Sequence, residues 1–202
     1  MNEKRKILFY GDSNTYGYDP DNWTEFRYPE KTRWTTVLKE KLGDAWQVTE
    51  AGMNGRRLPD LRHDSAYVNS LLEQLSDQDI FAIMLGTNDI LSSLEPDAIE
   101  AIDRMEQFLQ FLKTRMASSK ILVIAPPPCG NSMIKDPLYQ KFFRQSRCMN
   151  QGFRKLADIY GTMFIDADTW DIPLCTDFVH FSAKGHRIFA ENMYRFLKGT
   201  KS

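Results

Sequence analysis

The sequence predicts a doubly wound α/β sandwich, a parallel β-sheet covered by helices on both faces. Two observations carry this expectation. Five short apolar runs of strand length are spaced along the chain, and longer stretches of helical periodicity lie between them. Uninterrupted apolar runs suit strands buried on both faces, and strands alternating with helices are the pattern of right-handed βαβ crossovers. At 202 residues the chain has the size of one such domain, read as a single domain over 1–202.

Each element follows from its own signals. Ile7–Tyr10 is the first apolar run, closed by Gly11-Asp12. The period over Trp34–Leu42 predicts a helix that stops at Gly43, a residue free to take the left-handed conformation past a helix end. Val48–Glu50 is the second strand, and a helix is predicted over Leu61–Leu75 behind Pro59-Asp60. Ile80–Leu85 is the third strand, followed by a helix over Pro96–Met116. Ile121–Ala125 is the fourth, and Pro126-Pro127-Pro128 forms a rigid exit that cannot continue a ladder. A helix over Tyr139–Tyr160, stopped by Gly161, leads to the fifth strand, Met163–Ile165. Ser182 caps a last helix, Ala183–Leu197, whose apolar stripe is Ile188, Phe189, Met193, Phe196 and Leu197.

Composition narrows the partners. Lys+Arg 26 against Asp+Glu 27 leaves a formal charge of -1, so no strong field selects a polyanion and no nucleic-acid partner is expected. The basic start Lys4-Arg5-Lys6 is followed by an apolar run that Gly11-Asp12 interrupts far short of a signal-peptide core or a membrane span. A cytoplasmic location and no membrane partner are therefore expected. Cys129, Cys148 and Cys175 are odd in number and lack a Cys-x-x-Cys pair, which favours free thiols over a disulfide framework or a zinc site.

In a doubly wound sheet the working residues collect beyond the carboxyl ends of the strands, and four loops there carry chemistry. Gly11-Asp12-Ser13-Asn14-Thr15 sets Ser13 in the first turn after the first strand, where a helix N-terminus favours developing negative charge. Ser13 is a candidate nucleophile; the competing reading is an ordinary helix cap. Gly52, after the second strand, allows close approach of a backbone N–H to an oxyanion, or alternatively serves a turn. Asn88 in Gly86-Thr87-Asn88-Asp89 offers a side-chain amide donor, or turn chemistry. Asp177-Phe178-Val179-His180 brings a carboxylate and an imidazole three residues apart, so that one ring nitrogen can be oriented while the other faces a hydroxyl. Asp168 and Asp171 are alternative orienters at a less favourable spacing. His63 and His186 lie in helical patterns without partners and read as surface or packing residues.

These blocks together resemble the GDSL, or SGNH, hydrolase family: Gly11-Asp12-Ser13, Gly52, Gly86-Thr87-Asn88-Asp89 and Asp177-x-x-His180 stand in the family's order over nearly the whole chain. The resemblance implies a flavodoxin-like three-layer α/β/α sandwich on a five-stranded parallel sheet. It implies Ser13 as nucleophile, His180 and Asp177 as base and orienter, and an oxyanion hole from the Ser13 N–H, the Gly52 N–H and the Asn88 side chain. Gly11-Asp12-Ser13-Asn14-Thr15-Tyr16-Gly17 with Glu50-Ala51-Gly52-Met53-Asn54-Gly55-Arg56 is most similar to the cytosolic arylesterase and acyltransferase branch, which acts on short acyl esters and forms homo-oligomers. Tyr16 stands where that branch often carries Trp, and Arg57-Leu58 follow the Asn-Gly-Arg string, so the pocket is expected to differ in shape.

The expected reaction is a two-step acyl transfer from a small-molecule ester through Ser13, with no metal or organic cofactor. Expected pocket residues are Asn14, Tyr16, Asn54, Trp170, Ile172 and Phe178. The α/β-hydrolase alternative lacks its Gly-x-Ser-x-Gly elbow. A flavodoxin-like nucleotide- or flavin-binding module lacks a phosphate-cradling glycine loop and gives Asp177 and His180 no role. A metal phosphohydrolase built on Asp12 or Asp89 lacks a ligand cluster.

Overall fold

The structure, a computed structural model, describes residues 3–61, 70, 73, 78–130, 133 and 135–199. The helix expected over Leu61–Leu75 lies almost wholly outside these residues, as does His63. Among the described residues five strands form one parallel sheet: β1 (Arg5–Gly11), β2 (Trp46–Gly52), β3 (Ile80–Met84), β4 (Ile121–Ala125) and β5 (Met163–Asp166), in the order β2-β1-β3-β4-β5. Between them come α1 (Ser13–Tyr16), α2 (Trp34–Leu42), α3 (Thr87–Leu91), α4 (Ala98–Lys113), α5 (Pro137–Tyr160) and α6 (Ala183–Gly199).

Alternation within the strands sorts the core into two layers. Leu8, Tyr10, Phe81, Ile83, Ile121 and Val123 face α4 and α5, meeting Met105, Phe108, Met149 and Phe153. Ile7, Phe9, Ala82, Met84, Leu122 and Ile124 face α2 and α6, meeting Trp34, Leu38, Phe189 and Met193. The result is the expected three-layer sandwich.

The helix ends follow their caps. Asp136 accepts from the N–H groups of Leu138 and Tyr139, and Pro137 takes the first helical position, so α5 begins two residues earlier than the apolar period predicts. Asp97 caps α4 through the Ile99 N–H, which leaves Pro96 outside the helix. Ser182 caps α6 as expected, its Oγ accepting from the Gly185 N–H at 3.1 Å. No helix among the described residues is long and apolar enough to cross a membrane.

Register places the working loops. Gly11 pairs with Gly52 on one side and Met84 on the other, so the chains after β1, β2 and β3 leave the sheet side by side at one level. The order of connection reverses between β1 and β3, where adjacent crossovers diverge and open a crevice.

His186 is fully buried, its ring edge-on to Tyr28 and against Phe181, with Nδ1 accepting the Trp34 N–H at 3.3 Å. Burial, aided by the positive charge of Arg33, pushes its pKa from 6.5 down to about 3. The folded chain therefore binds this proton more weakly than the unfolded chain. The stability this adds is complete above pH 6.5 and drains away as the pH falls towards 3. Asp12 and Asp89, pushed up to about 6 chiefly by burial, act with the opposite sign, adding stability as the pH falls from 6 towards 4. His186→Phe isolates the first effect. Between pH 7 and pH 4.5 the variant is expected to gain about 2–3 kcal/mol relative to wild type, read as the change in urea midpoint. Parallel pH profiles would show that His186 does not titrate in this way.

Candidate active site

The turn after β1 is built by Asp12. This fully buried carboxylate accepts from the Asn14 N–H at 2.9 Å and caps α1. The cap is thus Asp12, and the Ser13 hydroxyl is left for another partner. Gly17, at φ +84, ends the single turn of α1.

That partner comes from the far end of the sequence. The loop before α6 carries Asp177 and His180, and the Ser13 hydroxyl donates to His180 Nε2 at 3.0 Å. His180 Nδ1–H donates to Asp177 Oδ2 at 2.6 Å; a carboxylate only accepts, which fixes the proton on Nδ1 and frees Nε2 to receive the Ser13 proton. The other oxygen, Asp177 Oδ1, accepts from the N–H groups of Val179 and His180 at 2.9 and 3.0 Å. Burial alone would raise the Asp177 pKa, but these bonds outweigh it and hold the carboxyl below its ordinary value. Asp168 instead faces Arg147, and Asp171 lies exposed at φ +48.

Asn14 fastens this loop to the turn. Its Oδ1 accepts from the Phe181 N–H at 2.8 Å and its Nδ2 donates to Val179 O at 3.1 Å, while the Trp34 indole donates to Asn14 O at 2.9 Å. The residue expected in the substrate pocket is therefore 4% exposed and occupied at both ends of its amide. It serves as a clamp between segments 165 residues apart.

Gly52 meets the same turn from β2. A Cβ here would lie 2.2 Å from the Tyr16 N and 2.6 Å from its Cα, backbone atoms that no side-chain movement relieves. Gly52→Ala is expected to cost about 1–3 kcal/mol of stability and to lower activity, both measurable by thermal unfolding and an ester assay. A fully active, undestabilised variant would contradict this packing.

Asn88 is held by a residue the sequence reading passed over. Its Nδ2 donates to Arg56 O at 3.0 Å, which leaves the second amide N–H with a fixed direction. Arg56 in turn reaches across both strand ends, donating from NH1 to Gly11 O at 2.9 Å and to Ala51 O, with its guanidinium 4.1 Å from the Tyr10 ring centroid. Asp89 accepts from the Leu58 N–H at 3.0 Å and lies 3.6 Å from Arg104. The loops after β1, β2 and β3 are thus tied to one another.

The model of the GDSL-like lipase/acylhydrolase family matches residues 9–188. The chain belongs to this family. Its class is that of carboxylic ester hydrolases. Est24, a carbohydrate acetylesterase from Sinorhizobium meliloti, superposes on this acylhydrolase with a TM-score of 0.79 at 25% identity, over 96% of this chain and 99% of that one. A candidate arylesterase from Agrobacterium tumefaciens str. C58 does so with a TM-score of 0.80 at 29% identity, over 96% and 98%. The M. smegmatis aryl esterase shares the fold, with a TM-score of 0.76 at 24% identity over 96% and 98%. No curated protein matches the chain.

The remaining expected pocket residues of the acylhydrolase are scattered. Tyr16 lies under the Arg27 guanidinium, 4.0 Å from its ring centroid. Asn54 is exposed in the turn after β2. Trp170 packs on Phe189 of α6, with ring centroids 5.2 Å apart, so it completes the core layer rather than a pocket around Ser13. Ile172 and Phe178 share a cleft of about 400 Å³ with Pro127, Phe143 and Leu174; neither Ser13 nor His180 lines it. Besides Arg56, the sequence reading missed Tyr18, whose ring centroid lies 4.5 Å from that of His180. No periodicity marks either residue; only the Asn-Gly-Arg string hinted at Arg56. No group of three metal-ligating side chains is found among the described residues.

Proposed function

We propose that this acylhydrolase is a serine esterase for short acyl esters, working through an acyl-enzyme on Ser13. The observation that carries the reading is the continuous relay from Ser13 Oγ through His180 to Asp177, at 3.0 and 2.6 Å. Ser13 Oγ attacks the ester carbonyl carbon and its proton passes to His180 Nε2. The carbonyl oxygen becomes an oxyanion, for which the Ser13 N–H, the Gly52 N–H and the free N–H of Asn88 are the proposed donors. Collapse breaks the bond to the alcohol oxygen, which takes the proton from His180 and departs. Water then attacks the acyl-Ser13 carbonyl while His180 again accepts the proton, and the carboxylic acid leaves as Ser13 regains its hydrogen. Another alcohol in place of water completes an acyl transfer.

The test is hydrolysis of a short-chain p-nitrophenyl ester, combined with mass spectrometry after an organophosphonate probe. Turnover with one adduct on Ser13 supports the mechanism; no turnover and no adduct would replace it with a binding role.

A further inference from the structure

A run of neighbouring rings leads from His180 out to solvent. Tyr18 lies against the imidazole, with ring centroids 4.5 Å apart. Phe26 stacks on Tyr18 at 6.1 Å and 11°, and Trp23 meets Phe26 edge-on at 6.4 Å. Exposure rises outward: Tyr18 is half-buried, Phe26 40% exposed and Trp23 80% exposed. An indole left this open to water gains nothing for the fold where it stands.

The loop presents these rings in a fixed way. Tyr18 and Arg27 form an antiparallel bridge, Tyr28 N–H donates to Gly17 O at 2.8 Å, and Phe26 N–H donates to Asn22 O at 2.9 Å. Phe26 itself is held at φ +51, a conformation that costs a non-glycine residue energy and aims its ring along Tyr18. Arg27, next to Phe26 in sequence, is anchored to Tyr16 O at 2.9 Å and to Glu50 at 2.5 Å, with its guanidinium over the Tyr16 ring.

The chemistry says which part of a substrate passes here. His180 returns its proton to the departing alcohol oxygen, so the alcohol portion of the ester must leave beside the imidazole. The ring packed on that imidazole is Tyr18, and the surface continues over Phe26 to Trp23. We infer that Tyr18, Phe26 and Trp23 bind the alcohol portion of the substrate, and that this portion carries one or two six-membered rings with an apolar face. Both an aryl ring and the C–H face of a pyranoside offer that face. Phe26 meets the first ring and Trp23 the second. This inference rests on the proposed serine esterase reading.

The experiment compares kcat/KM of the full chain for ethyl, benzyl and 4-biphenylmethyl acetates and for monoacetylated xyloside and xylobioside. Ratios of ringed to ethyl ester cancel any change in the chemical step common to both. In Phe26→Leu the benzyl-to-ethyl or xyloside-to-ethyl ratio is expected to fall about fivefold, the worth of one good ring contact. In Trp23→Ala the ratio of the two-ring to the one-ring ester is expected to fall by about the same factor, and Trp23→Tyr restores it. A response confined to the aryl or to the sugar series identifies the source of the ring. Ratios unmoved in both variants overturn the inference, as does a Trp23→Ala chain whose only change is a smaller mass by light scattering, which would assign the patch to a second copy of the chain. If ethyl acetate shows no Ser13-dependent turnover, the esterase reading itself fails, and that failure is separate because it needs no ring variant.

Discussion

Ser13→Ala is expected to lower turnover of a short-chain p-nitrophenyl ester by about 10⁴–10⁶-fold, with the far-UV circular dichroism of the wild type retained. The hydroxyl removed makes one hydrogen bond, to His180, and that bond is worth about 1 kcal/mol to the fold, so stability changes little. His180→Ala is expected to reach the same residual rate. Combining the two should add little, because in the proposed mechanism Ser13 and His180 act as one unit. His186→Phe is the control, since it replaces a buried ring by a ring, and the hydrogen bond it removes runs from the Trp34 N–H and not from Ser13. Comparable losses in Ser13→Ala and His186→Phe would show that unfolding, and not loss of the nucleophile, had been measured.

Asn88→Ala carries the next largest expected effect, a fall of about 10²–10³ in kcat with KM nearly unchanged, because the proposed oxyanion donor acts on charge present only in the transition state. Arg56→Ala is expected to lower kcat by about 10- to 100-fold. Its guanidinium pins residue 56 to Gly11 O and Ala51 O, and the residue 56 carbonyl aims the Asn88 amide, so a misplacement of about 1 Å suffices. Arg56→Lys should recover only part of the loss, since an ammonium can donate to the two carbonyls but loses the flat stacking of the guanidinium over the Tyr10 ring. A double variant, Arg56→Ala with Asn88→Ala, no slower than Asn88→Ala alone would place both on one path. Additive losses would separate them.

Elements whose signals are local were readable in the sequence. Trp34–Leu42 has both ends right because the period stops where Gly43 must take a positive φ. β2 is longer than the expected Val48–Glu50, because an edge strand tolerates Gln47 at an exposed position. α3 was not anticipated, since a helix of little more than one turn has too few residues to show a period, and Asn88-Asp89 reads equally well as a turn. The same divide holds at the site. The short strings Gly-Asp-Ser and Asp-x-x-His single out Ser13, Asp177 and His180, and the fold brings the three into one hydrogen-bonded line. Arg56 and Tyr18 gain meaning only from what lies across the sheet or the loop, and Asn14 proved to be a fastener because two backbone groups of a distant loop claim its amide. Trp170 shows the reverse error: an aromatic residue in a loop near the site in sequence completes the core.

The clamp between Asn14 and the loop at Val179 and Phe181 also bears on how the molecule comes into being. Ser13 and His180 are 167 residues apart, and the contacts that align them close a loop of that length. Such contacts are entropically the most expensive to make first, so they follow the pairing of β1 with β2 and β3. During synthesis Ser13 emerges before the Asp177–His180 loop, and under the proposed mechanism it lacks its base until that loop has docked. Recovery of esterase activity during refolding should accordingly lag the return of helical circular dichroism, and would time the last step of assembly.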